Sequence, residues 1–179
     1  YLVAVYVWSV YTECMHGMPS ERPVRVAVPV NLRPYFNSIT TKNFFVMVSA
    51  EFHPTKEIYT FEEVLKSVSE SLRSQISREN LEKLFSYNVS NEKLLAARIV
   101  PLFLKNLAMR YVYTTSALAN TATVTNIGNI SVSEEDRPYV EMFHAFLAMS
   151  KGQLLKGTIC SYGDTLVFSF SYDLTDTSV

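Results

Sequence analysis

From Val24 to Leu32 the chain alternates with a period of two: Val24, Val26, Val28, Val30 and Leu32 fall on one side of an extended segment, and Arg25, Ala27, Pro29, Asn31 and Arg33 on the other. No helix satisfies that period. One face can enter a core and the other meets something polar, so any fold of this chain must contain a sheet with this strand ending in a polar, cationic tip. Beyond the tip, Arg33-Pro34-Tyr35-Phe36 leads to Asn43-Phe44-Phe45 and a second alternating run, Phe44 to Phe52, which is apolar on both faces at its start. Apolar faces on both sides predict an interior strand, placed centrally in the sheet.

Helical signals follow. Thr60 and Glu63 have the spacing of a capping box, in which each side chain satisfies an otherwise orphaned backbone donor of the other. Phe61, Val64, Leu65, Val68, Leu72 and Ile76 then make one apolar stripe at helical spacing, predicted to pack on the sheet. Ser77 can cap a second helix bearing Leu81, Leu84 and Phe85, and Ser90 or Asn91 a third running to Ile99. Pro101 interrupts, and a helix resumes over Leu102 to Tyr113 because proline is tolerated in a first turn. The remainder reads as antiparallel strands: Thr121 to Ile130, Tyr139 to Met149, Leu154 to Tyr162 and Thr165 to Asp173, with Gly163-Asp164 as a two-residue hairpin turn. Tyr1 to Met15 is ambiguous: Val and aromatic content favours strand, while length and unbroken apolarity fit a buried helix.

A length of 179 residues suits a single domain over residues 1–179 with one core. Sixteen Lys plus Arg against seventeen Asp plus Glu give a net charge of -1, which supplies no field for a nucleic-acid backbone. Two cysteines, Cys14 and Cys160, both in apolar runs, predict free buried thiols in a cytoplasmic protein rather than a disulfide scaffold. The opening apolar run, Tyr1 to Tyr11, is shorter than the roughly 20 residues of a spanning helix and predicts no membrane span. The sequons at Asn88-Val89-Ser90 and Asn129-Ile130-Ser131 have no secretory context to give them meaning.

Familiar catalytic patterns are missing. Ser161 lacks the flanking glycines of a nucleophile elbow, since Ile159 stands where the first would be. Cys160 and His144 lie among Phe143, Phe146 and Ile159, surroundings that suppress a thiolate and predict inert packing. Met15-His16-Gly17-Met18 offers too few ligands for a metal, and Glu134-Glu135-Asp136-Arg137 reads as a solvated turn. On the residues alone, Arg33 is a solvated strand-end charge and Asn31 a backbone hydrogen-bonder near a strand end. Thr125-Asn126-Ile127-Gly128-Asn129 reads as a strand bulge with two surface amides, its small polar groups beside a Gly128 that admits close backbone approach.

The Val28 to Phe36 run closing at Asn43-Phe44-Phe45, together with Thr125-Asn126-Ile127-Gly128, resembles the C-terminal half of the chloramphenicol-acetyltransferase-like superfamily. That superfamily includes alcohol acetyltransferases, plant-type acyltransferases and the condensation domains of nonribosomal peptide synthetases; the likeness is greatest to the alcohol acetyltransferase branch. The Asp-Phe-Gly-Trp-Gly motif of the plant-type branch has no counterpart here. The resemblance implies an α/β two-layer sandwich, a mixed and largely antiparallel sheet with helices on one face, and it assigns Tyr1 to Met15 to a helix. It implies acyl transfer from coenzyme A or a carrier-protein pantetheine, a substrate rather than a bound cofactor, to an alcohol or amine. The family's base is the second His of a His-His-x-x-x-Asp-Gly motif in the N-terminal half, and none of His16, His53 and His144 adjoins another His. The chain is therefore expected to be a C-terminal lobe, cut at both ends, inactive alone and prone to self-association, with its own N-terminal lobe as partner. Arg33 corresponds to the family's arginine that clamps the Asp of that motif, while Asn31, Thr125, Asn126 and Gly128 correspond to the pantetheine channel. The rival expectation is a noncatalytic, condensation-like module that binds a carrier protein or a partner lobe.

Overall fold

The computed structural model describes residues 1–41, 43–93, 100–149 and 155–172. Helix α1 spans Leu2–Ser9 and passes into a wider π-helical turn over Val10–Cys14, where Met15 N donates to Val10 O at 3.1 Å. The helical alternative for the N-terminal run therefore holds, and Ala4, Tyr6, Val7 and Tyr11 are buried. Strands β1 (Val24–Asn31) and β2 (Phe45–Phe52) form an antiparallel hairpin. Helices α2 (Phe61–Gln75), α3 (Arg78–Lys93) and α4 (Leu102–Leu118) follow, then β3 (Ala122–Asn129), β4 (Leu155–Tyr162) and β5 (Thr165–Tyr172).

The strands form one five-stranded sheet in the order β2-β1-β3-β4-β5. The two outer junctions are antiparallel and the two inner ones, β1 with β3 and β3 with β4, are parallel. The sheet is mixed, as expected, but the reading of everything after residue 121 as antiparallel is corrected at β3 and β4. A parallel pair needs a crossover, and the long connection between Asn129 and Leu155 supplies it. Gly163, at φ +56°, makes the tight turn between β4 and β5.

Core and helices meet on one face. Val24, Val26, Ala50, Phe52, Ala122, Val124 and Ile159 from the sheet cluster with Ala4, Val7 and Tyr11 of the N-terminal helix and with Val64 and Val68 of α2. Val46 and Val48 cluster with Leu32 and Leu81, which brings α3 onto the same face. The capping box forms at Thr60 and Glu63, and Ser77 accepts from Asn80 N at 3.3 Å at the start of α3. That helix continues through Ser90 and Asn91, so neither caps a third helix; the remainder of the expected helix to Ile99 lies outside the described residues.

Two expected strand positions are also corrected. β2 is an edge strand, not a central one: Phe45 and Met47 are apolar yet about half exposed on the face away from the helices. Its outer backbone is covered by side chains instead of a further strand, since Gln75 Oε1 accepts from Ser49 N at 3.1 Å and Gln75 Nε2 donates to Ser49 O at 2.7 Å. Ser71 Oγ accepts from Glu51 N at 3.0 Å beside it. Tyr139 to Met149 is not a strand. After a short 3-10 turn at Arg137–Tyr139 it runs irregularly over β4, where Cys160 Sγ donates to Phe143 O at 3.2 Å and Lys156 Nζ to Ala148 O at 2.7 Å. Phe143, Ala145 and Leu147 are half-buried and their neighbours exposed. The alternation thus reflects a sheet face beneath the segment rather than a ladder partner beside it.

Cys160 is buried, but Cys14 is exposed at the end of the π-helical turn, correcting its expected burial. Among the described residues no helix is long and apolar enough to cross a membrane.

Candidate functional site

β1 and β3 run parallel but pair only through Val26 with Ala122 and Ala27 with Thr123. Past those residues each strand follows a different neighbour. β1 stays in register with β2 as far as Asn31 and Phe45, while β3 stays with β4 as far as Asn129 and Ser161. The chain leaves β1 toward one edge of the sheet and β3 toward the other. Such a switch point, at the carboxyl ends of parallel strands, is where open α/β sheets hold ligands, because no connection crosses the gap. Here it contains a cleft of about 380 Å³, lined by Tyr1, Leu2 and Val3, by Val28, by Val124 and Asn126, and by Ile159.

Asn126 is the polar side chain that β3 contributes to this cleft, and its placement depends on a bulge. The β3–β4 register slips between Asn126 and Gly128, leaving Ile127 as the extra residue. Asn126 Oδ1 accepts from Gly128 N at 2.9 Å, which closes the bulge locally and fixes the amide at the cleft wall. Gly128 has φ +90°, and no atom beyond its own chain neighbours lies within 4 Å of where its Cβ would be. Glycine is needed there for the backbone angle and not for the close approach that the sequence suggested.

The expected channel residues do not all share one surface. Ala122, Val124 and Asn126 follow the helix-covered face, and Val26 and Val28 join them there. Thr125 and Asn31 have the opposite parity and point to the other face. The cleft therefore brings Asn126 together with apolar residues of β1, β4 and α1, and it includes neither Asn31, Thr125, Gly128 nor Arg33. The contributions of Val28, Ile159 and the first residues of α1 had no local signal, since they meet Asn126 only through tertiary packing.

Arg33 lies two residues past the end of β1, exposed, after Leu32 has turned into the core with its N–H donating to Phe44 O at 3.0 Å. Arg33 N and Nη1 reach Asn31 Oδ1 at 3.1 and 3.4 Å, and Nη2 donates to Thr40 O at 3.0 Å. Asn31 and Arg33 thus act together, tying the start of the β1–β2 loop to its far side.

One charged cluster escaped the sequence reading. The β1–β2 register sets Arg25 opposite Glu51, and Arg25 Nε lies 2.9 Å from Glu51 Oε1, with His53 Nε2 at 3.5 Å from Oε2. It is partly exposed and none of its three residues lines the cleft. His144 Nε2 lies 3.1 Å from Met142 Sδ while Cys160 bonds the Phe143 carbonyl, so thiol and imidazole are not paired with each other. Comparison with known protein families, with curated proteins and with solved structures finds no match to this chain.

Proposed function

We propose that residues 1–179 form the C-terminal lobe of a thioester-dependent acyltransferase, a two-layer α/β lobe whose β1–β3 cleft is part of the channel for an acyl-thioester arm. The observation that carries this reading is the cleft itself: an opening of about 380 Å³ at a switch point, apolar along most of its wall, with one amide presented by Asn126. An acyl chain and a pantetheine arm need such a wall, and a carbonyl developing negative charge gains from a fixed amide donor. Of the residues resembling the acyltransferase family, Val28 and Asn126 line this cleft, while Asn31, Arg33, Thr125 and Gly128 lie outside it. None of the described residues lining the cleft is a histidine or a carboxylate, and the resemblance assigns the base that removes the acceptor proton to another lobe. That base takes the proton of the alcohol or amine as it attacks the thioester carbonyl, and returns a proton to the departing thiolate. The resemblance implies coenzyme A as a donor, and two free cysteines are in keeping with the reducing cytoplasm.

Arg33 provides the test. Its loop contacts leave the guanidinium at the surface beyond β1, and in this reading it also meets a carboxylate of the second lobe in a two-pronged pair. In the intact protein Arg33→Ala is expected to lower thiol release from acetyl-coenzyme A with this lobe still folded, and Arg33→Lys to leave it lowered. Wild-type rates in both variants would overturn the assignment.

A noncatalytic interaction module is the second reading, favoured by α4, where Phe103 and Tyr111 are each more than 70% exposed beside exposed Leu107 and Val112. An apolar helix surface calls for cover. If the intact protein binds a carrier protein or partner lobe through α4 and releases no thiol from any donor, this reading prevails.

A further inference from the structure

Tyr6, Ser9, Val10, Glu13 and Cys14 recur at three- and four-residue spacing along α1 and its π-helical extension, making one stripe that faces β4 and β5. Between this stripe and the strands lies a second cleft, about 260 Å³, which shares no lining residue with the β1–β3 cleft. Val5, Tyr6, Val10, Leu155, Phe168 and Phe170 form its apolar wall, and the exposed Ser9, Glu13 and Cys14 also line it.

Tyr6 is the anomaly in that wall. The residue is 5% exposed, and its hydroxyl, sealed from water, has no hydrogen-bond partner among the described residues. No other described buried side-chain oxygen or nitrogen is left in that state. A phenylalanine there would keep the ring contact with Phe170, at 6.4 Å between centroids, without the penalty of an unpaired hydroxyl. Burial, with the Cys14 thiol adding to it, pushes the Tyr6 hydroxyl far above the usual phenol range, so it remains a donor at neutral pH. A water at the hydroxyl would lie against the apolar wall of Val5, Val10, Leu155 and Phe168 and find few of the two to four polar contacts it needs. The adjoining π-helical turn is a second mark of the site, because such turns inside helices recur where function requires a widened helix wall.

We propose that this second cleft binds a neutral aliphatic carbonyl compound, a ketone or ester of medium chain length, whose carbonyl oxygen accepts from the Tyr6 hydroxyl while its chain lies against Val5, Val10, Leu155 and Phe168. Binding draws the phenol tip toward the cleft, driven by the one hydrogen bond it lacks. A hydrocarbon leaves that hydroxyl unpaired. A carboxylate meets the Glu13 side chain and no cation in the lining.

Three probes decide the matter, titrated by methyl and amide NMR into the 179-residue chain: 2-octanone, its hydrocarbon isostere 2-methyl-1-octene, and octanoate. The ketone is expected to shift the Val5, Val10 and Leu155 methyls and to bind about 3- to 10-fold more tightly than the alkene, the worth of one buried hydrogen bond. Tyr6→Phe should remove that advantage while leaving the alkene unchanged, and octanoate should bind more weakly than the ketone at neutral pH. Val10→Trp, which fills the cleft, should abolish binding of all three with the amide spectrum otherwise retained, and it supplies the control should Tyr6→Phe fold poorly. Four results each overturn the proposal: no binding of 2-octanone up to its solubility, octanoate binding as tightly as the ketone, equal ketone affinity in wild type and Tyr6→Phe, or ketone binding that survives Val10→Trp.

Discussion

Replacing Gln75 by alanine removes the brace on the free edge of β2, and the structure gives the size of the effect. The Gln75 amide makes two hydrogen bonds to Ser49, accepting from its N–H at 3.1 Å and donating to its carbonyl at 2.7 Å, as a neighbouring strand would. Each such bond contributes about 0.5–1.5 kcal/mol net, so the pair is worth about 1–3 kcal/mol. Ser49 is half-buried, and water re-satisfies part of the loss, which places the expected destabilisation at about 1–2 kcal/mol. For a domain of this length each kcal/mol lowers the melting temperature by about 2–4 °C, giving a fall of about 2–8 °C. Two measurements check the mechanism together: thermal unfolding followed by circular dichroism, and hydrogen exchange at the Ser49 amide, which should lose protection more than that of Val48. Gln75→Glu separates the two bonds. It keeps an acceptor for Ser49 N but aims a carboxylate at Ser49 O, so it should be destabilised at neutral pH and recover partly in acid, when the carboxyl can donate again. An unchanged melting temperature in Gln75→Ala, with unchanged Ser49 protection, would refute the idea that α2 replaces a sixth strand.

Thr60→Ala should cost about 1 kcal/mol, read as a melting temperature lower by about 2–4 °C, because Thr60 Oγ1 accepts from Glu63 N at the start of α2. Glu63 is held below the ordinary carboxylate value of 4.5, first by its hydrogen bond from Lys56 and then by the Thr60 N–H. A carboxylate depressed on folding adds stability above its unfolded pKa and loses it as pH falls through the folded one. The stability gap between wild type and Glu63→Gln should therefore be present at pH 7 and close as the pH falls below the ordinary carboxylate value, and a gap that widens in acid would contradict this. Cys14 is exposed and Cys160 buried against the Phe143 carbonyl, so a thiol reagent should modify Cys14 promptly and Cys160 only on unfolding; mass spectrometry of the first product distinguishes them.

What the sequence disclosed was local. The Thr60–Glu63 box, the Ser77 cap, the alternation of β1 and the Gly163 turn each depend on residues within a few positions of one another, and each sits where its chemistry requires. Where a pattern had two physical causes, the reading went astray. Apolar residues on both faces of β2 suggested a central strand, yet Phe45 and Met47 sit on the open face of an edge. Alternation in Tyr139 to Met149 suggested a strand, yet it arises from lying across β4. Nothing local marks the parallel pairing of β3 with β4, since it depends on a crossover. The same limit governs the cleft. Asn126 could be singled out from its neighbours, but the bulge at Ile127 and the strand parity decide which surface it joins, and they separate it from Asn31 and Thr125. Tyr6 gave no signal at all, because a buried tyrosine on a helix stripe looks the same whether or not its hydroxyl has a partner.

Thiol release from acyl-coenzyme A donors, measured for this chain alone and for the intact protein with alcohol and amine acceptors, tests the acyltransferase reading most directly. A positioned base is worth roughly 100- to 10,000-fold in rate, and the described residues of the cleft supply no histidine or carboxylate. The account predicts no turnover by the chain alone and acceptor-dependent thiol release by the intact protein. Turnover by the purified chain, or no release by the intact protein with any donor, would contradict it.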